Sequence, residues 1–158
     1  KDKTLRVLIV RGEGKSFSAG GDISEFKTIF STSHSSQDFS TSINKAFNAL
    51  MHFPRPTIAM IEGGAVGGGC GLALACDIRI ASENAFLAVT PAKLGIVYPY
   101  SEIKRLVATV GLSRAKDMLF SARIIKADEA EKLGIVVSFV RSIDRAHCTT
   151  LCRYGLTA

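Results

Sequence analysis

Two glycine-bearing turns are the stretches of this 158-residue sequence whose composition and spacing best suit chemistry. The first is "SAGGD", residues 18–22, and the second is "GGAVGGGCG", residues 63–71, which leads into an alanine-rich apolar segment. Glycine lets the backbone adopt positive φ and lets a ligand approach a peptide without meeting a Cβ. At a helix N-terminus such a turn leaves amide N–H groups unpaired at the positive end of the helix dipole. The pattern indicates a site for an anion or a developing oxyanion, although close packing of a helix against a sheet also uses glycines.

Three other glycine motifs fit the sequence poorly. "GEGKS" resembles the end of a phosphate-binding P-loop, but Ile9 stands where the motif needs its first glycine. "SFSAG" resembles the nucleophile elbow of serine hydrolases with Ser18 as nucleophile, but Ser16 replaces the first glycine. A dinucleotide fingerprint that starts at Gly67 would need a glycine at Leu72. Nucleotide binding by these motifs and serine hydrolysis are therefore disfavoured.

Composition narrows the class of partner. The 20 basic and 14 acidic residues give a formal charge of +6, which favours phosphate-bearing or polyanionic ligands. No dense Lys/Arg run alternates with aromatic residues, so we expect no nucleic-acid partner. The apolar runs fall short of the roughly 20 residues that span a bilayer, so we expect no membrane partner. A hydrophobic content of 47% is enough for one domain with a substantial core.

The four cysteines indicate reduced thiols rather than a metal site. Cys70 and Cys76 lie in an apolar stretch, where cysteine behaves as a small hydrophobic residue. Cys148 and Cys152 are spaced too loosely for zinc, with only His147 nearby. Together with the lack of a signal-peptide pattern, these features predict a cytoplasmic location, with an organelle matrix as the alternative, and no metal.

The order of predicted elements indicates an α/β domain with a largely buried sheet. "LRVLIVRG", residues 5–12, is typical of a strand buried on both faces. The Ser/Thr-rich segment 31–42 predicts a mobile surface loop, and a helix with apolar residues at helical spacing follows it. The remaining expectations are strands at 57–61, 77–82, 85–89 and 135–140, a loop at 90–100, and helices at 66–75, 101–111, 113–122 and 126–134.

The motifs resemble those of the enoyl-CoA hydratase/isomerase, or crotonase, family. "SFSAGGDI" is similar to its F-x-A-G-A-D-[IL] segment, and "GGAVGGGCGLALACDIRIAS" to its A-x-G-G-G-x-x-L-A-x-x-C-D-x-x-[IV]-A segment. The resemblance implies a spiral of ββα units and an acyl thioester of coenzyme A as substrate. It also implies no cofactor beyond the CoA of the substrate, and homotrimers or hexamers of the full-length protein.

The resemblance runs from about Leu5 to Val140. We therefore expect a core domain at residues 1–140, which lacks the family's first strand-helix unit, and an atypical tail at residues 141–158. A core without its neighbouring layers exposes apolar surface, so we expect this chain alone to be poorly soluble or only partly folded.

The family's site residues are carried over position by position. The two amides of its oxyanion hole fall on Gly21 and Gly68, and Tyr98 corresponds to an active-site tyrosine of methylmalonyl-CoA decarboxylases in the family. The resemblance implies contacts of the substrate with Ala19, Gly20, Asp22, Ile23, Gly67, Gly71, Pro91 and Leu94.

The sequence departs from the family at the acids and bases. Gly71, Pro91 and Pro99 stand where family members carry carboxylates, so hydration by two glutamates is disfavoured. One alternative is methylmalonyl-CoA decarboxylase-like activity, because loss of CO₂ produces an enolate without a base. The other alternative is non-catalytic binding of acyl-CoA. Glu102 opens a predicted helix, where the helix dipole alone accounts for an acid.

Overall fold

The computed structural model describes residues 4–141, which form seven strands and six α-helices. The strands are β1 (Leu8–Arg11), β2 (Thr57–Ile61), β3 (Gly64–Val66), β4 (Ile78–Ser82), β5 (Phe86–Ala88), β6 (Ile125–Lys126) and β7 (Ser138–Val140). The helices are α1 (Phe26–Ile29), α2 (Ser33–Met51), α3 (Gly68–Leu74), α4 (Tyr100–Val110), α5 (Leu112–Ser121) and α6 (Ala127–Lys132). Short 3₁₀ helices lie at Ile23–Glu25 and Pro91–Leu94.

From β2 to β5, successive strands alternate between two sheets. The first sheet has the order β1-β2-β4-β7 with every pair parallel, and the second has the order β3-β5-β6. In the second sheet β3 and β5 are parallel, and β5 and β6 are antiparallel. A ββα unit contributes one strand to each sheet and then forms a helix. β2, β3 and α3 form one such unit, and β4, β5 and α4 form the next. Parallel strands need such crossover connections, and their repetition produces a spiral.

The first sheet separates two apolar clusters. Every residue of β2 is buried, because this strand pairs with β1 on one side and β4 on the other. Ala59 and Ile61 belong to the larger cluster, whereas Ile58 and Met60 point to the opposite face, as the two-residue period of a strand requires. The larger cluster includes residues of both sheets and of α3 to α6, and it forms the main core beneath the second glycine turn.

A polar clamp fixes the starts of β2 and β4. The carboxylate Oδ2 of Asp77 accepts hydrogen bonds from the Thr57 amide and from the Thr57 hydroxyl, both at 2.8 Å. The Thr57 Oγ1 in turn accepts a hydrogen bond from the Asp77 amide at 2.8 Å. Since the Thr57 residue is 1% exposed, water cannot replace these bonds easily. The clamp therefore helps to set the parallel register of the two central strands.

Three sequence-based expectations differ from the structure. The Ser/Thr-rich segment is not a loop, because α2 begins at Ser33, and the Thr32 side chain caps it by accepting a hydrogen bond from the Ser35 amide at 3.1 Å. The opening strand is not buried on both faces, because β1 is an edge strand and its residues are half-buried or exposed. The segment 90–100, expected as a loop, contains the 3₁₀ helix Pro91–Leu94.

The predicted α/β architecture of ββα units is confirmed for the described residues. The tail from residue 142 onward, which includes His147, Cys148 and Cys152, lies outside the described residues. Between residues 4 and 141, no helix combines the length and apolar character needed to cross a membrane.

Replacement of Thr57 by valine tests the clamp. Thr57→Val keeps the shape but removes a donor to Asp77 and the acceptor of its amide, so we expect the free energy of unfolding to fall by about 1–3 kcal/mol. Chemical denaturation followed by circular dichroism measures the change. Thr41→Val, at an exposed position of α2, is the matched control and should stay within about 0.5 kcal/mol of the parent. Equal effects of the two substitutions would show that the clamp contributes nothing specific.

Candidate active site

A single backbone bridge brings the two glycine turns together. Ser18 pairs in parallel with Ala65 of β3: the Ser18 amide donates to the Gly64 carbonyl at 3.0 Å, and the Val66 amide donates to the Ser18 carbonyl at 2.9 Å. The residues after Ser18 therefore leave the second sheet beside the residues that open α3. Turns 45 residues apart in sequence become neighbours at the same sheet end.

Gly20 and Gly67 give the turns their shape. Gly20 has φ +89°, and a Cβ built on it would lie 2.8 Å from the Gly68 amide nitrogen and 3.1 Å from the Val66 carbonyl oxygen. Gly67 has φ +55°, and its amide donates to the Ala88 carbonyl at 2.9 Å, which ties the turn to β5. L side chains rarely adopt these φ values, so both positions favour glycine on backbone grounds. The first turn can therefore lie directly against the start of α3.

The amides of Gly21 and Gly68 lie close together without protein acceptors. Among the described residues, neither N–H donates a hydrogen bond to a protein atom. A Cβ built on Gly68 would lie 3.8 Å from the Gly21 nitrogen, and both residues line one cavity. Gly68 is the first residue of α3, where the N–H has no intrahelical partner. Two free donors at one cavity wall can stabilise an oxygen that gains negative charge.

The cavity beside these amides holds about 170 Å³ and is mainly apolar. Phe26, Phe30 and Phe39 form one wall as an edge-to-face cluster with ring centroids 5.3–6.2 Å apart. The Phe26 ring packs over Gly21, since a Cβ there would lie 3.1 Å from its Cε1 atom. The cavity can therefore take an apolar group next to the two donors.

The structure brings most of the sequence-predicted site residues to this cavity. Those that line it are Ala19, Gly21, Ile23, Gly67, Gly68, Pro91, Leu94 and Tyr98. Gly20, Asp22 and Gly71 are not among its lining residues. Asp22 instead caps the 3₁₀ helix Ile23–Glu25: its Oδ1 accepts from the Ser24 amide at 2.9 Å and from the Ser24 hydroxyl at 2.7 Å, and these bonds lower the pKa of the carboxyl.

Tyr98 supports the second turn from the cavity side. The Tyr98 hydroxyl donates to the Gly67 carbonyl at 3.2 Å, and the residue is buried. Burial is the main cause of a raised pKa for this phenol. The phenol is therefore neutral at physiological pH. Its hydroxyl holds Gly67, the residue that precedes the Gly68 amide, and it also interacts with the Glu102 carboxyl.

Glu102 is a cavity residue that the sequence analysis attributed to the helix dipole. Although it lies in the first turn of α4, it lines the cavity, is 2% exposed, and its Oε2 has no hydrogen-bond partner among the described residues. The helix dipole alone does not explain a buried acid. The available signal was periodicity, because Glu102, Leu106 and Val110 follow one another at four-residue steps and form the buried stripe of α4.

The surroundings of Glu102 favour its neutral form. Burial raises the pKa of the carboxyl, and the Tyr98 hydroxyl and the Arg105 guanidinium offset this only in part. Burial also raises the pKa of the nearby Cys70 thiol to about 12, with the Glu102 charge as the second cause, so this cysteine stays protonated and is a poor nucleophile.

Residues 4–141 contain neither a serine–histidine pair at Ser18 nor a cluster of metal-ligand side chains. The Ser18 hydroxyl oxygen accepts from the Gly20 amide at 3.2 Å, and no histidine of this segment bonds to it. Within the same part of the chain, no group of three or more His, Cys, Asp or Glu side chains could hold a metal ion.

Comparison with known proteins agrees with this geometry. The family model for enoyl-CoA hydratase/isomerase matches residues 1–151. A short-chain-enoyl-CoA hydratase from Clostridium acetobutylicum is 42% identical over 136 residues, which are 85% of this chain and 51% of that protein. The chain thus spans about half the length of the curated relatives it matches.

Solved structures share the fold. That of an enoyl-CoA hydratase/isomerase family protein from Hyphomonas neptunium has a TM-score of 0.89 and 39% identity, covering 97% of this chain and 59% of that one. A Thermobifida fusca protein named as an enoyl-CoA hydratase, solved in complex with acetoacetyl-CoA, has a TM-score of 0.88 and 30% identity, covering 99% and 66%. These similarities confirm the predicted ββα spiral.

Replacement of Glu102 by glutamine tests the protonation of the buried carboxyl. The pKa of Glu102 is higher in the folded protein than in the unfolded chain, so the folded state binds the proton more tightly. The resulting contribution to stability is complete below the unfolded-state pKa. It is lost as the pH rises through the folded-state pKa. Glutamine cannot ionise. We therefore expect Glu102→Gln to have a Tm close to the parent's near pH 4, and a Tm that exceeds the parent's by a growing margin at higher pH.

Thermal unfolding between pH 4 and pH 8 measures this margin. Glu131→Gln, at an exposed position of α6, is the matched control and should follow the parent throughout. A constant difference between Glu102→Gln and the parent across this range would contradict a raised pKa.

Proposed function

The chain belongs to the enoyl-CoA hydratase/isomerase family, and from that premise we propose that the protein processes acyl-CoA thioesters through an enolate held by the Gly21 and Gly68 amides. The thioester carbonyl oxygen would lie between the two N–H groups. The observation that carries this proposal is the pair of adjacent donors, without protein acceptors among residues 4–141, at the wall of an apolar cavity.

The chemistry of a thioester enolate explains the value of these donors. When the α-carbon loses a substituent, the electron pair moves into the Cα–C bond and negative charge collects on the carbonyl oxygen. Donors that already point at this oxygen need no reorganisation, and one such donor lowers the barrier by about 3–4 kcal/mol in comparable sites. Because Gly20 and Gly67 fix the turns, the donors are organised before substrate binds.

The acyl group and the CoA moiety would contact different parts of the protein. We place the acyl group against Phe26, Phe30 and Phe39, since these rings form the apolar wall next to Gly21. The formal charge of +6 supports binding of the negatively charged phosphates of CoA. CoA enters as part of the substrate, and the mechanism requires no further cofactor.

The carboxylates of two-glutamate hydration are absent from their family positions. Gly71 in α3, Pro91 in the 3₁₀ helix and Pro99 before α4 have no ionisable side chain, so none of these positions can move a proton. Methylmalonyl-CoA decarboxylase-like activity and non-catalytic acyl-CoA binding stay open as predictions, but no observation in the site favours either of them.

Location and assembly belong to the same proposal. Cys70 and Cys76 are free buried thiols, which supports a reducing compartment such as the cytoplasm or an organelle matrix. Phe120, Ile124 and Val137 are exposed large apolar side chains, which supports their burial against further chain or further subunits. We propose a homotrimer or hexamer for the full-length protein.

Replacement of Gly68 by proline tests the oxyanion site. Proline is tolerated at the first position of a helix and lacks the N–H, so Gly68→Pro removes the donor while keeping the helix start. We expect kcat for acyl-CoA turnover to fall about 100-fold to 1,000-fold, with a smaller change in KM. Turnover of crotonyl-CoA and of methylmalonyl-CoA, followed by loss of the enoyl absorbance and by CO₂ release, measures the effect and tells the reactions apart.

Gly68→Ala is the matched control, because it keeps the N–H and its Cβ meets only ordinary contacts, the nearest at 3.4 Å from the Gly20 Cα. It should retain most of the parent's activity. Equal activity of Gly68→Pro and Gly68→Ala would contradict a role for this amide. Binding of acyl-CoA by the parent without any turnover would favour the non-catalytic alternative.

A further inference from the structure

The Glu102 carboxyl occupies the space that a side chain at position 71 would fill. A Cβ built on Gly71 would collide with the Glu102 Oε2, and it would lie 3.1 Å from the Glu102 Cδ and 3.0 Å from the Tyr98 hydroxyl oxygen. Glycine at position 71 therefore makes room for a carboxyl that arrives from a different helix. The absence of a side chain at position 71 and the location of the Glu102 carboxyl therefore depend on each other.

This carboxyl lies over the same helix that presents the Gly68 amide. Gly71 follows Gly68 by three residues in α3, and residues three apart share a helix face. Glu102 and Gly68 also line the same cavity. Among the described residues that line it, Glu102 is the one with a carboxyl group, and its Oε2 is buried without a hydrogen-bond partner. An unpartnered buried oxygen is costly and indicates a partner that comes with a ligand.

We propose that Glu102 is the catalytic residue that exchanges a proton with the α-carbon of the bound thioester. The inference rests on the proposed function, because it needs an enolate at the Gly21 and Gly68 amides. It assigns the proton transfer to a residue of α4, whereas the family positions 71, 91 and 99 carry no acid.

The proton transfer balances within the site. The Glu102 carboxylate takes a proton from the α-carbon, the C–H electron pair forms the Cα–C double bond, and the carbonyl π electrons move to the oxygen held by the two amides. In the reverse direction the carboxylic acid protonates the enolate carbon, the thioester carbonyl forms again, and the carboxylate remains. One carboxyl serves both directions, and neither direction consumes another reactant.

The charges around Glu102 suit this cycle. Tyr98, Cys70 and Arg105 are the titratable or charged groups that act on the carboxyl, from the loop before α4, from α3 and from α4 itself. The tyrosine and the cysteine are neutral, and the arginine favours the carboxylate. Proton transfer works best when the pKa of the acid lies near the working pH, and burial moves the pKa of Glu102 upward in that direction.

Exchange of the α-protons of butyryl-CoA in D₂O tests the proposal with the full chain. Butyryl-CoA has no double bond and no carboxyl group, so deuterium uptake reports enolate formation alone, and mass spectrometry measures it. We expect the parent to incorporate deuterium and Glu102→Gln to do so at least about 100-fold more slowly. The dissociation constant for butyryl-CoA should change less than about threefold. Glu131→Gln, on the exposed face of α6, should exchange at the parent's rate.

The pH profile separates catalysis from a structural role. Exchange by the parent should rise with pH through the pKa of Glu102, whereas Glu102→Gln should show no such rise. Glu102→Asp keeps a carboxyl one methylene farther away and should retain measurable, pH-dependent exchange, so it decides the matter if the glutamine variant does not fold. Exchange by folded Glu102→Gln at the parent's rate, or a parent profile without this rise, would overturn the inference.

The experiment also separates this inference from the function on which it rests. If the parent exchanges deuterium, Gly68→Pro loses exchange and Glu102→Gln keeps it, then the oxyanion site stands and the role of Glu102 is wrong. If the parent binds butyryl-CoA but neither exchanges its protons nor turns over other thioesters, the proposed function itself is wrong.

Discussion

The parallel bridge between Ser18 and β3 is the contact on which the site depends. Two backbone hydrogen bonds, from Ser18 to Gly64 and from Val66 to Ser18, join a turn of the first unit to a turn of the second. Each contributes only about 1 kcal/mol net. Their effect on function is larger, because they determine that the Gly21 amide lies beside the Gly68 amide. The spiral fold supplies the bridge, since successive units place their second strands side by side in one sheet.

Glycine acts in this site in two different ways. At positions 20 and 67 it permits positive φ, and without it the turns could not approach each other. At position 71 the backbone is ordinary helix, and glycine acts by leaving space. The Glu102 carboxyl fills that space. Glycine at position 71 therefore removes a carboxylate in the sequence, but in the structure it makes room for the carboxyl of Glu102.

The part of the site that local sequence determines could be predicted, and the part that tertiary packing determines could not. The turns at Gly21 and Gly68 are encoded by glycines next to a strand and a helix, so their backbone character was visible in the sequence. The contact of Glu102 with position 71 joins residues 31 apart on different helices, and no local pattern specifies it. The start of the helix at Ser33 was missed for a different, local reason, because serines and threonines favour loops by composition and the cap at Thr32 was not recognised.

Arg105 acts on the buried Glu102 carboxyl through space and favours its charged form. It follows Glu102 by three residues in α4, and its guanidinium lies over the Phe47 ring at 5.2 Å with Nη1 near the Met51 sulfur at 3.3 Å. Its Nε and Nη2 are buried without hydrogen-bond partners among the described residues, so its charge is not consumed by a direct ion pair with the carboxylate. A direct pair would hold Glu102 ionised, and an apolar neighbour would hold it neutral. In this site burial opposes the charge of Glu102 and the distant cation favours it, and proton transfer to and from carbon needs a carboxyl that is not fixed in one form.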